Sequence, residues 1–156
     1  MKPSVKRPVA SRAERALATR RRMLTSARDL FVQQGYAATT VEQIAADAGV
    51  AVQTVYYTFR TKGLLLRELV EVTAAGEEPA APVMERAWAR EMLSATSAQR
   101  VLALAVEHGT AIYERVAALW PAVAASAASD PDVAGYWLGV GAGRRDGQRR
   151  MVGTRR

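Results

Sequence analysis

Residues 39–62, TTVEQIAADAGVAVQTVYYTFRTK, leave the chain very few ways to fold. Val41, Ile44, Ala45 and Ala48 fall at i, i+3, i+4 and i+7, the spacing of one apolar stripe along a helix. Val52, Val55, Tyr56 and Phe59 repeat that spacing after Gly49-Val50. The glycine accepts positive φ without strain, and Val50 plugs the corner. Thr40 with Gln43 three residues on forms a capping box. Thr39 with Glu42 fits the same pattern one residue earlier, so the first helix has two possible starts. One helix is too short to stand alone and the other is barely two turns, so each needs the other. The pattern predicts a helix-turn-helix over residues 40–59.

With Val55 and Phe59 spent on the core, Gln53, Thr54, Tyr57 and Thr58 point outward. All four can hydrogen-bond to base edges or phosphates, and none carries a charge that DNA repels. Val52 is open to two readings, a core residue or an apolar contact for a thymine methyl. The plainer alternative for the whole face is a solvated polar surface on a helical hairpin.

The stretch GYAATTVEQIAADAGVAVQTVYYTFRTKGLL resembles the DNA-binding domain of the tetracycline-repressor (TetR) family of bacterial transcriptional regulators. The resemblance rests on Phe31, Gly35-Tyr36, Thr39-Thr40, Ile44-Ala45, Gly49-Val50, Tyr56, Phe59, Lys62 and Leu65, within about residues 20–70. It implies an all-α fold: an N-terminal three-helix DNA-binding domain, followed by a helical regulatory domain that binds an effector and dimerises. It implies that Gln53, Thr54 and Tyr57, with Val52, read bases while Thr40, Tyr56, Thr58 and Lys62 fix the phosphate backbone. Two positions depart from the family pattern. Ala51 stands where a capping Ser is frequent, a loss of about 1 kcal/mol. Gly63 stands where Glu is common, which predicts a looser start to the following helix.

Charge divides the chain into three. Residues 1–62 hold eleven Lys/Arg against four Asp/Glu, residues 63–138 five against ten, and residues 139–156 six against one. The basic excess coincides with the helix-turn-helix, as phosphate binding requires. Composition alone would suit a membrane-surface or RNA-binding protein equally. Hydrophobic residues make up 49% of the chain with only 6% aromatic, a helical balance. Cysteine is absent, which excludes disulfides and thiolate metal ligation. The basic N-terminus lacks a signal-peptide apolar core, and the uncharged residues near Pro121 are too few to span a bilayer. A cytoplasmic protein without membrane association is expected.

Residues 1–15 read as a basic flexible arm, within which Ser11 and Glu14 mark a helix start. That helix is expected to run to Gln34, burying Leu17, Leu24, Ala27, Leu30 and Phe31 and ending at a left-handed Gly35. Arg20, Arg21 and Arg22 place positive charge in its first half, and Arg20 is a candidate DNA contact. Thr61 caps a fourth helix, Lys62 to Ala75, closing a DNA-binding domain of residues 16–75. Lys62 at its N-terminus is a natural phosphate site. AGEEPAAP, residues 75–82, reads as a linker.

Residues 80–138 read as the helical ligand-binding and dimerisation domain, in incomplete form. Its expected helices run from Val83 to Leu93 with Met84, Ala87, Trp88 and Met92 apolar, and from Ser97 to about Leu119. A third, alanine-rich, follows Pro121, and Asp130-Pro131-Asp132 opens a last one. Gly139, Gly141, Gly143 and Gly147 interrupt that helix beside four arginines, so residues 139–156 are expected to form a basic tail. Set against the family pattern, this C-terminus is short, which places dimerisation in question.

Catalysis finds no footing: the single histidine, His108, adjoins Glu107, and i, i+1 neighbours do not share a helical face. No metal and no cofactor is implied. Trp88, Met92, His108, Ile112, Tyr113 and Trp120 are the candidate lining of an effector pocket, with core packing as the plainer role of each. Double-stranded operator DNA, an unidentified small-molecule effector and a second copy of the chain are the expected partners. The expected function is an effector-responsive, DNA-binding transcriptional repressor. The competing readings are a non-dimerising regulator fragment and a helical protein-interaction module that ignores DNA.

Overall fold

The computed structural model describes residues 11–76, 86–131 and 133–136, and every described element is helical. The N-terminal arm through residue 10, the linker residues 77–82, the first turn expected around Met84, and the tail lie outside the described residues. Helix α1 spans Arg12–Ala38 and begins with a reciprocal capping box. The Ser11 N–H donates to Glu14 Oε2 at 2.6 Å and the Glu14 N–H donates to Ser11 Oγ at 3.1 Å. The first of these bonds holds the Glu14 carboxyl below the usual carboxylate range. Met23, Leu24, Ala27 and Phe31 are buried. Leu17, expected with them, is 57% exposed: residues 11–18 are all exposed, so the first turns project beyond the elements that cover the rest of α1.

Gly35 does not end α1 in the left-handed conformation expected. It adopts φ 81°, ψ 170°, a region open essentially only to glycine, and a further turn follows to Ala38. The kink brings the Tyr36 ring back onto Phe31 at 5.5 Å between centroids. It also buries Thr39, whose Oγ1 donates to the Gly35 carbonyl at 2.8 Å. Of the two possible starts for α2 (Val41–Ala48), Thr40 is therefore the cap. Its Oγ1 accepts from the Gln43 N–H at 3.2 Å and its N–H donates to Gln43 Oε1 at 2.9 Å. Gly49 ends α2 at φ 64°, ψ 44°, a left-handed cap. Helix α3 (Val52–Phe59) has no side-chain cap, as Ala51 requires, and α4 (Lys62–Ala75) is capped by Thr61 Oγ1.

Beyond the linker come α5 (Ala87–Ser94), α6 (Ala98–Val116), a 3₁₀ turn (Ala117–Leu119) and α7 (Trp120–Ala127). Pro121 lies in the first turn of α7, where its missing N–H costs nothing. In α5 the buried side is Ala89 and Met92, while Ala87, expected inside, is exposed. The Asp130 carbonyl accepts from the Ala134 N–H at 2.9 Å, opening a last helical turn that includes residues 133–136.

The hydrophobic core does not stop at the linker. Phe31, Ile44, Val55, Leu65 and Leu66 form one continuous cluster with Val116, Leu119, Ala122, Val123 and Val133. Side chains of this size contribute about 1.5–3 kcal/mol each on burial. Helix α1 is the shared member, packing against α2 and α4 on one side and α7 on another.

A polar junction reinforces this packing. The Tyr36 hydroxyl donates to the Asp130 carboxylate, which lies against Gly63 near the start of α4. A Cβ at residue 63 would sit 2.6–2.9 Å from the carboxylate atoms of Asp130. Gly63 is therefore a point of close approach. The looser helix start expected of it is offset by the Thr61 cap.

Two glycine substitutions separate these effects. Gly109 lies inside α6 with nothing within 4 Å of an added Cβ. Gly109→Ala should stabilise by about 1 kcal/mol through helix propensity alone. Gly63→Ala gains the same propensity but displaces the Asp130 carboxylate from the Tyr36 hydroxyl, a charged bond worth about 1.5–3 kcal/mol. Urea unfolding should show Gly63→Ala losing roughly 1 kcal/mol net. Equal gains at both sites would contradict the close-packed junction.

Candidate nucleic-acid interface

Helix α3 is anchored by Val55 and Phe59, both buried, with Val52 half-buried against the same core. Val52 thus takes the core side of its two readings. The opposite face presents Gln53 and Tyr57, the latter 91% exposed. Tyr56 was expected in the apolar stripe as well as at the backbone. It is 47% exposed and lies outside the core cluster. Thr54 and Thr58 are half-buried, and Thr58 Oγ1 donates to the Thr54 carbonyl at 2.7 Å. That back-bond engages the hydroxyl proton while its oxygen retains acceptor capacity. Thr40 is exposed at the start of α2.

Lys62 is placed differently from the phosphate role expected of it. Its ammonium reaches back over the end of α1 and donates to the Tyr36 and Thr39 carbonyls, each at 2.9 Å. It also stands 4.2 Å from the centroid of the Tyr36 ring. These carbonyls belong to the irregular stretch where α1 gives way to α2, and have no helical N–H to satisfy them. Burial pushes the Lys62 ammonium below the usual lysine range, and the Asp130 charge opposes that shift. Arg20 is likewise drawn inward. Its guanidinium pairs with both carboxylate oxygens of Glu68 on α4 and stacks over Phe59 at 5.0 Å. Both cations were expected at DNA because their partners, 26 and 48 residues away in sequence, are invisible to local patterning. Arg21 and Arg22 remain exposed, beside a shallow groove that also includes Asp47.

Sequence reasoning passed over Arg60. It is exposed, with φ 66° and ψ −53°, the one non-glycine residue with positive φ among those described. The Thr61 N–H donates to the Phe59 carbonyl at 2.8 Å, so Arg60 is the centre of a strained γ-turn joining α3 to α4. Arginine carries no signal for such a turn, and only the tertiary arrangement reveals it.

A separate cavity of about 130 Å³ lies where the end of α4 meets α5 and α6. Trp88, His108 and Ile112 line it, with the Trp88 and His108 rings stacked at 4.7 Å and 11°. Met92 is buried on α5 without lining this space, and Tyr113 and Trp120 are about half exposed and also lie outside it. Ala111 and Ile112 both face the cavity, and Tyr113, a further turn of about 100° round the helix, turns away from it. Arg86, Arg115, Ala75 and Ala111 complete the lining among the described residues. Charged residues within a helical pattern read as solvated surface, which hid the two arginines.

Lys62→Met tests the clamp. It leaves two carbonyls without their charged donor, and should cost about 2–3 kcal/mol in urea unfolding even with no DNA present. Stability equal to wild type would return Lys62 to a purely surface role.

Residues 23–69 match the model described as bacterial regulatory proteins, tetR family. The matched stretch runs from Met23 on α1 to Leu69 on α4 and encloses the whole of α2 and α3. No curated protein and no solved structure matches the chain. Residues 23–69 thus form a domain of the tetR-family type, and the helix-turn-helix they enclose is that of a DNA-binding transcriptional regulator.

Proposed function

We propose that the protein is an effector-responsive repressor that reads an operator by inserting α3 into the major groove. The observation that carries this reading is the exposed face of α3. Tyr57 and Gln53 stand clear of a helix whose other side is fixed by Val55 and Phe59, and no acidic side chain shares that face. Gln53 suits a bidentate contact to adenine, and the Tyr57 ring suits thymine methyls and phosphate oxygens. Thr40 and Tyr56 fix the phosphate backbone from either side, with the guanidinium of Arg60 as a further contact. Lys62 and Arg20 act indirectly, by holding the recognition helix between α1 and α4. The protein acts in the cytoplasm. Among the described residues, no helix is long and apolar enough to cross a membrane.

The effector cavity borders the last turn of α4, so occupancy there bears on the helix that begins at the reading head. The repressor acts as a homodimer. Leu102, Val106 and Tyr113 support this: they follow one another along one face of α6 and are 64%, 65% and 49% exposed. An apolar stripe of that kind on a 19-residue helix suits a second copy of the same helix. Sedimentation equilibrium should give a dimer for the native chain and a monomer for Val106→Glu. A native monomer would end the dimer reading.

Anisotropy titration of labelled DNA from the region upstream of the gene tests the reading itself. The native protein should prefer that DNA to random duplex. Gln53→Ala and Tyr57→Ala should each weaken selective binding about 5- to 100-fold with no change in thermal unfolding. Equal binding to both duplexes would leave a non-selective fragment, and indifference to Tyr57→Ala would favour a protein-interaction module.

A further inference from the structure

We infer that the cavity between α4, α5 and α6 takes a small organic anion, a planar carboxylate of a single ring or comparable size. This rests on the effector reading above and names the chemistry of the ligand.

Size comes first. The cavity's 130 Å³ equals the liquid volume of about four waters, well below the roughly 300–1,000 Å³ of pockets for drug-sized ligands. Shape comes next. The Trp88 and His108 rings lie 11° from parallel, and Ile112 and Ala75 supply apolar walls. Stacked on each other, the two rings leave no slot between them but offer a flat ligand one outer aromatic face.

Charge decides the class. Arg86 and Arg115 both line the cavity, and no Asp or Glu does so among the described residues. A guanidinium keeps its charge at any physiological pH, so Arg115, with Arg86 beside it already engaged within the protein, brings a fixed positive charge to this small space. Cationic ligands are repelled, and neutral amides gain little. A carboxylate matches the arginine fork with two parallel bonds. Arg86 is only 7% exposed and already interacts within the protein. Five N–H donors make such a partner compatible with a ligand as well.

Arg115 connects occupancy to the rest of the fold. Its Nη2 donates to the Ala74 carbonyl at 2.8 Å, in the last turn of α4, where carbonyls lack an intrahelical donor. An anion that engages Arg115 therefore acts on the same guanidinium that secures the end of α4.

Calorimetric titration of the full chain with benzoate, benzamide and benzylamine tests the assignment. These three probes share a ring and differ in charge. Benzoate should bind at least tenfold more tightly than benzamide, and benzylamine should give no measurable heat. Arg115→Gln should reduce benzoate affinity at least tenfold and leave benzamide unchanged, while Arg115→Lys retains part of the preference. If Arg115→Gln unfolds by circular dichroism, the three probes on the native chain still decide the matter. Benzamide or benzylamine binding as tightly as benzoate overturns the anion class and leaves the effector cavity standing. No binding of any probe to the folded chain overturns both. Benzoate binding that leaves DNA affinity unchanged supports the anion site and removes the regulatory reading alone.

Discussion

The ammonium of Lys62 closes the reading head, and the geometry of every helix around it depends on that closure. α1 must break at Gly35 for Tyr36 to fold back on Phe31 and for Thr39 to be buried. The break exposes carbonyls that no following helical turn can satisfy. The first residue of α4 supplies the missing donor, so the end of α1 and the start of α4 are fixed by one side chain. α3 lies in the chain between those two points, held also by the Arg20–Glu68 pair and by Phe59 beneath the Arg20 guanidinium. The outward aim of Gln53 and Tyr57 follows from these ties more than from the helix propensity of an eight-residue segment with no N-terminal side-chain cap.

What the sequence made legible was local. Thr40 with Gln43, Ser11 with Glu14, Gly49 and the Thr61 cap all act between residues three or four apart, and each is found where spacing placed it. The apolar stripe of α2 is buried in full for the same reason. Residues whose surroundings depend on distant partners were not legible in this way. Lys62 and Arg20 are basic residues near DNA-reading helices, and only folding shows that carbonyls and a carboxylate claim them. Arg86 and Arg115 were passed over because charge within a helical pattern resembles solvated surface. Leu17 was placed inside because periodicity gives the face of a helix and not how far along it the neighbours extend. Arg60 carries no local signal at all, since a strained turn centred on arginine contradicts the preference that glycine expresses there.

The junction of Tyr36, Gly63 and Asp130 explains why an apparent departure from the family pattern is compatible with a well-formed head. A larger residue at position 63 would require the acidic start of the last helical turn to lie elsewhere. Asp130 stands 94 residues from Tyr36, yet the two meet beside the first turn of α4. Sequence distant from the helix-turn-helix thus helps to define its boundary.

The continuous core has a further consequence for how the protein lives in the cell. Val123 and Val133 share one apolar cluster with Ile44 and Val55, so the elements that read DNA and those that follow the linker open together. A lesion in α7 removes support from α1, and with it from the reading head, although no residue of α7 lies on the exposed face of α3. Occupancy of an operator then falls with the fraction of molecules folded, at unchanged intrinsic affinity. Loss of regulation through mutations remote from DNA would accordingly register as reduced abundance of the intact regulator, and proteolytic turnover would set the threshold at which it is felt.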